Sequence, residues 1–263
     1  MGLEERISFG IEVVGGQIGY FSKMFGLVAS EWKHDGSRVT EADLTLSTSI
    51  MEEIKEAFPS DQFFSEELEP ESCPITVKPG YSWMLDPIDG TNNFANGISL
   101  CGISLALLKD GDPVYGFVYD HASRKLYHGG ENKGMFAGDT PIKIDRESVS
   151  SQSIISVQTA ASEESVSDVS KLQMKFKVRS FGSSALHLTY VTVGLADGVV
   201  EHSIKTWDIA AGYAILKASG GEFRFFGEPQ FPLREFHVQS KGFGFMAGSP
   251  SVCRELARTT GRA

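Results

Sequence analysis

The spacing of apolar residues changes repeatedly along this 263-residue chain, and that change limits the folds open to it. Ile7, Ile11, Val14, Ile18, Phe21 and Phe25 recur at intervals of three and four, which predicts an amphipathic helix over about 3–28. A polar stretch at 33–38 reads as a mobile hairpin or loop, and a second helix is expected over 41–58, stopped by Pro59, with Leu44, Ile50, Ile54 and Ala57 on its apolar side. Phe63 and Phe64 form a short strand, 69–79 an acidic, proline-bearing loop, and 81–85 a buried strand. Between 100 and 136 the runs 103–108, 114–119 and 125–128 are split by turn residues, the pattern of an antiparallel meander. The second half alternates again: strands at 153–157, 178–181 and 198–202, helices at 162–172, 183–195 and 207–218. A glycine- and phenylalanine-rich C-terminal segment is expected to add strands. With no repeat and no flexible linker, this reads as a single α+β domain of stacked helix and sheet layers, its halves lying at about 1–145 and 146–263.

Charge narrows the partners. The net charge of -10 and pI near 5.1 disfavour nucleic acid or an anionic membrane as a broad-surface partner. An acidic protein can still hold a small anion where bound cations reverse the local sign. No run is long and apolar enough to span a membrane, and residues 1–9 lack the form of a signal peptide, so a cytoplasmic protein is expected. Cys73, Cys101 and Cys253 have no metal-ligand spacing and read as reduced thiols.

The densest chemistry lies where the 81–85 strand runs into Asp86-Pro87-Ile88-Asp89-Gly90-Thr91. Proline stiffens the backbone between two carboxylates, and the Ile88 carbonyl can join them around a hard divalent cation. If a helix starts near Asn92, the amides of Gly90 and Thr91 lie at its N-terminus, where free N–H groups suit a phosphate. A plain Asx-turn would account for this motif alone. Three other acids are similarly ambiguous one by one. Glu66 follows an apolar strand, Asp208 opens an apolar helix, and Asp43 lies in the first turn of another. Each could be a solvated strand end or a helix cap. Spacing does not establish that they meet.

Taken in order, Val39-Thr40-Glu41-Ala42-Asp43, Ser65-Glu66-Glu67, the 83–94 segment, Arg179-Ser180-Phe181-Gly182-Ser183-Ser184-Ala185-Leu186, Glu201 and Trp207-Asp208-Ile209-Ala210-Ala211-Gly212 resemble the inositol monophosphatase family, relatives of the fructose-bisphosphatases. The resemblance covers nearly the whole chain. It implies a layered αβαβα sandwich, Mg²⁺-dependent hydrolysis of a small phosphate monoester, two or three Mg²⁺ ions, lithium sensitivity and a homodimer. It places metal ligands at Glu66, Asp86, the Ile88 carbonyl, Asp89 and Asp208. Thr91 would help position the attacking water together with Glu66, with Asp43 orienting Thr91. Asp89, Gly90, Thr91 and Asp208 would meet the substrate. Gly182, Ser183, Ser184 and Glu201 would line the pocket for its alcohol, most readily a phosphorylated polyol such as inositol monophosphate.

The chain departs from the family pattern at Ser65, usually glycine, and at Lys205, where animal members often carry histidine; the second puts strict inositol specificity in question. Lys33 corresponds loosely to a mobile-loop lysine near a weaker metal site. Histidinol phosphate, fructose 1,6-bisphosphate and a 3′-phosphonucleotide are substrate alternatives, and a non-enzymatic metal-binding or regulatory partner protein is the rival of another class. A serine or cysteine nucleophile is not expected. Cys101 reads as packed, and the six histidines, His187 among them, read as surface or core residues.

Overall fold

A computed structural model of the chain describes residues 2–28, 30–32, 38–68, 73–130, 132–142, 149–158 and 162–262. Helix α1 (Leu3–Met24) is followed by the paired short strands β1 (Ser30–Trp32) and β2 (Arg38–Thr40), then helix α2 (Glu41–Ala57). Next come β3 (Gln62–Ser65), β4 (Ile75–Thr76), β5 (Tyr81–Asp89), the short helix α3 (Thr91–Ala95), β6 (Gly102–Lys109), β7 (Asp112–Asp120), β8 (Lys125–Gly130), β9 (Gly134–Ala137) and β10 (Thr140–Ile142). The second half runs β11 (Ile154–Val157), α4 (Glu163–Gln173), β12 (Lys177–Arg179), α5 (Ser184–Thr192), β13 (Gly198–Ile204), α6 (Thr206–Ala218), β14 (Glu222–Phe226), β15 (Glu235–Phe236), β16 (Phe243–Gly248) and α7 (Pro250–Thr260).

The first sheet has the order β10-β9-β8-β7-β6-β5-β3, antiparallel except where β3 runs parallel to β5. The second has the order β12-β11-β13-β16-β14, parallel through its first three strands and antiparallel beyond. Side-chain alternation sorts the core into layers. Trp83, Leu85, Ile103, Leu105 and Leu107 face one way, onto Val14 and Phe21 of α1 and Leu46 and Ile50 of α2. Met84, Ala106, Leu108 and Val118 face the other way, onto α5 and α6, which also touch Val199 and Phe245 of the second sheet. Ile155, Val157, Val200 and Met246 on its far face meet Leu172 of α4 and Val252 and Leu256 of α7. The result is the expected αβαβα sandwich. Helices α5 and α6 lie between two sheets, so both are apolar nearly all round.

Four sequence expectations need correction. Helix α1 stops at Met24, short of 28, because Gly26 takes a left-handed conformation (φ 70°) and closes the chain toward Phe94. The 69–79 segment is not all loop: Ile75 and Thr76 form β4, paired with β15, a contact across 160 residues of sequence that local patterning does not reveal. Strand β5 continues through Pro87 to Asp89, with a register irregularity against β6 between Asp86 and Asp89, so the turn comes at Gly90. The C-terminal segment supplies β14 to β16 but ends in helix α7, capped by Ser249 with Pro250 in its first turn and closed by left-handed Gly261. Those are ordinary start and stop signals, masked by the surrounding glycine and phenylalanine. The described residues contain no helix long and apolar enough to cross a membrane. The three cysteines are free thiols, with Cys101 and Cys253 buried.

Candidate active site

Parallel pairing puts the first two acids side by side. Ser65 lies opposite Leu85, and the Glu66 amide donates to the Leu85 carbonyl at 3.3 Å, so Glu66, just past the end of β3, and Asp86, within β5, are neighbours. Asp86 is buried and its Oδ1 accepts the Ile88 amide at 3.1 Å. Left-handed Gly90 (φ 85°) then turns the chain into α3; a Cβ there would stand 3.1 Å from both the Gly182 and Leu100 carbonyls. Asn93 of α3 ties the same corner together, donating to Leu100 O and Phe181 O, each at 2.7 Å. The expected helix start near Asn92 is one residue earlier, at Thr91.

Three longer helices begin around these acids, and a carboxylate sits at each start. Asp43, buried in the first turn of α2, accepts the Thr40 amide at 2.7 Å and its hydroxyl at 2.6 Å. Asp208, in the first turn of α6, accepts the Lys205 amide at 2.7 Å. Asp89 reaches from the end of β5 to the start of α5: it takes the Ser183 hydroxyl at 2.7 Å, the Ser184 amide at 3.3 Å and the Ala185 amide. Free amides and the positive ends of three helix dipoles thus stabilise the negative charge gathered here. The cap role and the shared-site role, posed as alternatives in the sequence, coexist in the same side chains.

The charges are close enough to oppose one another. Burial, then the charges of Glu66, Asp89, Asp208 and Asp43, pushes Asp86 well above the usual carboxylate range. Asp208 is pushed the same way by burial, Asp89 and Glu66, against the pull of the Lys205 amide. Burial lifts Asp89 to about 6 despite its Ser183 and Ala185 hydrogen bonds. Acids that are far apart in the sequence therefore share one electrostatic environment. The model for the inositol monophosphatase family matches residues 13–252.

The chain belongs to the inositol monophosphatase family. Over 226 residues it is 32% identical to an Aquifex aeolicus fructose-1,6-bisphosphatase/inositol-1-monophosphatase, covering 82% of this chain and 83% of that one. It is 31% identical to a Bacillus subtilis inositol-1-monophosphatase over 224 residues, covering 83% and 81%. A Thermotoga maritima IMPase structure superposes with a TM-score of 0.83 at 26% identity, covering 98% of this chain and 97% of that one. Members of the inositol monophosphatase family are phosphatases, hydrolases of phosphoric monoesters, and are generally metal-dependent.

The donors gathered here suit a hard divalent cation: carboxylates of Glu66, Asp86, Asp89 and Asp208, with the Ile88 carbonyl beside them. Among the described residues, no three histidine, cysteine, aspartate or glutamate side chains already surround one cation position. Asp86 and Asp208 each accept one backbone amide on a carboxylate oxygen, and Asp89 accepts hydrogen bonds on both of its oxygens. Burial and mutual repulsion of these carboxylates nonetheless call for a proton or a cation, so the donor set fits a metal ion.

Thr91 donates to the Ile88 carbonyl at 2.9 Å and stands 3.5 Å from Asp43 Oδ1, so its hydroxyl has two acceptors within reach. Glu201 is fully buried. Its Oε2 accepts the Ser184 hydroxyl at 2.7 Å and its Oε1 pairs with His187 Nδ1, so both its oxygens are engaged. Gly182 is left-handed (φ 76°) and packs on the Asn93 amide. Lys205 sends its amine to the Ser240 carbonyl and over the Trp207 ring, and Lys33 lies outside the described residues. Trp83 and Trp207 are buried.

The residue missed in the sequence is His187, passed over as a packed histidine. Its signal was a spacing: Ser184 and His187 lie three apart on one face of a helix, facing a strand that carries a glutamate.

Proposed function

We propose that the chain hydrolyses a small phosphorylated polyol, most readily inositol monophosphate, with Mg²⁺ held by Glu66, Asp86, the Ile88 carbonyl, Asp89 and Asp208. What supports this reading above all is the burial of Asp86 among four other acids, a placement that is costly unless a proton or a cation offsets the repulsion. Bound magnesium, as two or three ions, supplies a Lewis acid for the phosphoryl oxygens and makes an attacking water more acidic. Thr91, turning its hydroxyl from the Ile88 carbonyl to Asp43, presents an oxygen lone pair that orients that water together with Glu66. The Gly90 and Thr91 amides receive phosphate oxygens, while Asp89, Asp208 and the 182–184 segment face the alcohol. The domain is taken as one unit over 1–263, working as a homodimer.

The name of the Aquifex relative favours a second substrate, fructose 1,6-bisphosphate. The test is phosphate release from a panel of polyol, sugar, amino-alcohol and nucleotide phosphates, with and without Mg²⁺. Mg²⁺-dependent release, fastest from inositol monophosphate, is expected. Release from none of them would overturn the reading in favour of a non-enzymatic role.

A further inference from the structure

The buried trio Ser184, Glu201 and His187 has an order that fixes where its protons lie. His187 Nε2 accepts the Phe181 amide at 2.9 Å, so that nitrogen carries no proton. The ring is therefore the neutral tautomer with hydrogen on Nδ1, and Nδ1 donates to Glu201 Oε1. The other Glu201 oxygen takes the Ser184 hydroxyl proton at 2.7 Å. The arrangement is not a serine–histidine–acid triad, because His187 pairs with Glu201 and the Phe181 amide and does not touch Ser184, whose proton is held by the carboxylate.

The three differ in access. Glu201 and His187 are buried while Ser184 is only half-buried, and the Ser184 amide contacts Asp89 at 3.3 Å. Ser184 is thus the trio's open member, next to a candidate metal ligand. With its proton held inward, its oxygen offers only lone pairs to the cleft. We propose that His187 is a positioning residue that, through Glu201, fixes Ser184 as a hydrogen-bond acceptor, so that the pocket selects phosphate esters whose alcohol carries a hydroxyl or ammonium donor beside the ester. This rests on the phosphatase reading above and adds the chemical rule by which the site chooses its alcohol. Losing His187 frees Glu201 to turn and lets the Ser184 proton point outward, which removes the preference.

The test compares 2-hydroxycyclohexyl phosphate with cyclohexyl phosphate, a pair differing by one donor. The wild-type enzyme is expected to prefer the hydroxylated ester by about tenfold or more in kcat/KM, with the difference mainly in KM. In H187L and S184A the ratio should fall toward one, and the double variant should lose no more than either single variant. H187Q, whose amide supplies both a donor for Glu201 and an acceptor for the Phe181 amide, should keep most of the preference. An active H187L enzyme with the wild-type ratio overturns the proposal alone; wild-type protein inert toward both esters overturns the phosphatase reading with it. ¹⁵N NMR of the His187 ring in the wild-type protein gives an answer independent of turnover. Protonated Nδ1 with bare Nε2 supports the assignment, and the reverse tautomer refutes it.

Discussion

Asp89 offers a quantitative test of the crowded carboxylates in the metal-free protein. Its carboxyl is lifted from 3.8 to about 6 in the fold, chiefly by burial. A group that binds its proton more tightly folded than unfolded supports the fold when protonated. That support is complete below the unfolded value and is lost as pH rises from about 4 to above 6. At about 1.4 kcal/mol per pH unit, the full loss is about 3 kcal/mol, and roughly half of it, about 1.4 kcal/mol, falls between about pH 5 and 7.5. For a domain of this size that is about 3–5 °C in Tm. The assay is thermal or urea unfolding in chelator at both pH values, for wild type and Asp89→Asn. Wild type should lose this increment on going to the higher pH. The variant should retain only the remainder contributed by Asp86 and Asp208, which shift in the same direction. Saturating Mg²⁺ should restore wild-type stability at pH 7.5, by ~2.7 kcal/mol at about a hundredfold excess over Kd. An identical pH slope in wild type and variant would refute the argument.

Asp86→Asn should act with opposite signs: turnover lower by about a hundredfold or more, but Tm in chelator higher, because a buried and repelled charge has been removed. Asn93→Ala removes two hydrogen bonds linking α3 to Leu100 and Phe181 and should cost about 1–3 kcal/mol in urea unfolding, with KM more affected than the metal requirement. Gly182→Ala puts a Cβ 2.8 Å from the Asn93 amide at a positive φ and should cost about 1–2 kcal/mol; combined with Asn93→Ala, the two losses should sum to less than additive.

The layers were legible because hydrophobic period is a local property. The three-and-four spacing of α1 and the short apolar runs of β6 to β8 need no knowledge of their partners. The β4–β15 pair and the continuation of β5 through Pro87 were not legible, since both depend on a neighbour distant in sequence. Helix α7 is legible in its caps, Ser249-Pro250 and Gly261, but these stand in a segment whose composition is dominated by glycine and phenylalanine. At the site, Glu66, Asp86, Asp89 and Asp208 could be named by resemblance, but cap and ligand readings could not be separated by spacing. The structure shows the cap contacts of Asp43, Asp89 and Asp208 at their helix starts, and Asp86, Asp89 and Asp208 share one electrostatic environment. His187 escaped because its meaning depends on Glu201, fourteen residues away on a strand.

Crystals of the protein soaked in Mn²⁺ and measured at the manganese edge test most directly whether these helix mouths and acids form a cation site. Anomalous peaks should lie within coordination distance of Glu66, Asp86, Asp89 and Asp208, and the Asp86 peak should vanish in Asp86→Asn. Fully soaked crystals with no peak among these four side chains, or with peaks only elsewhere on the surface, would contradict the account.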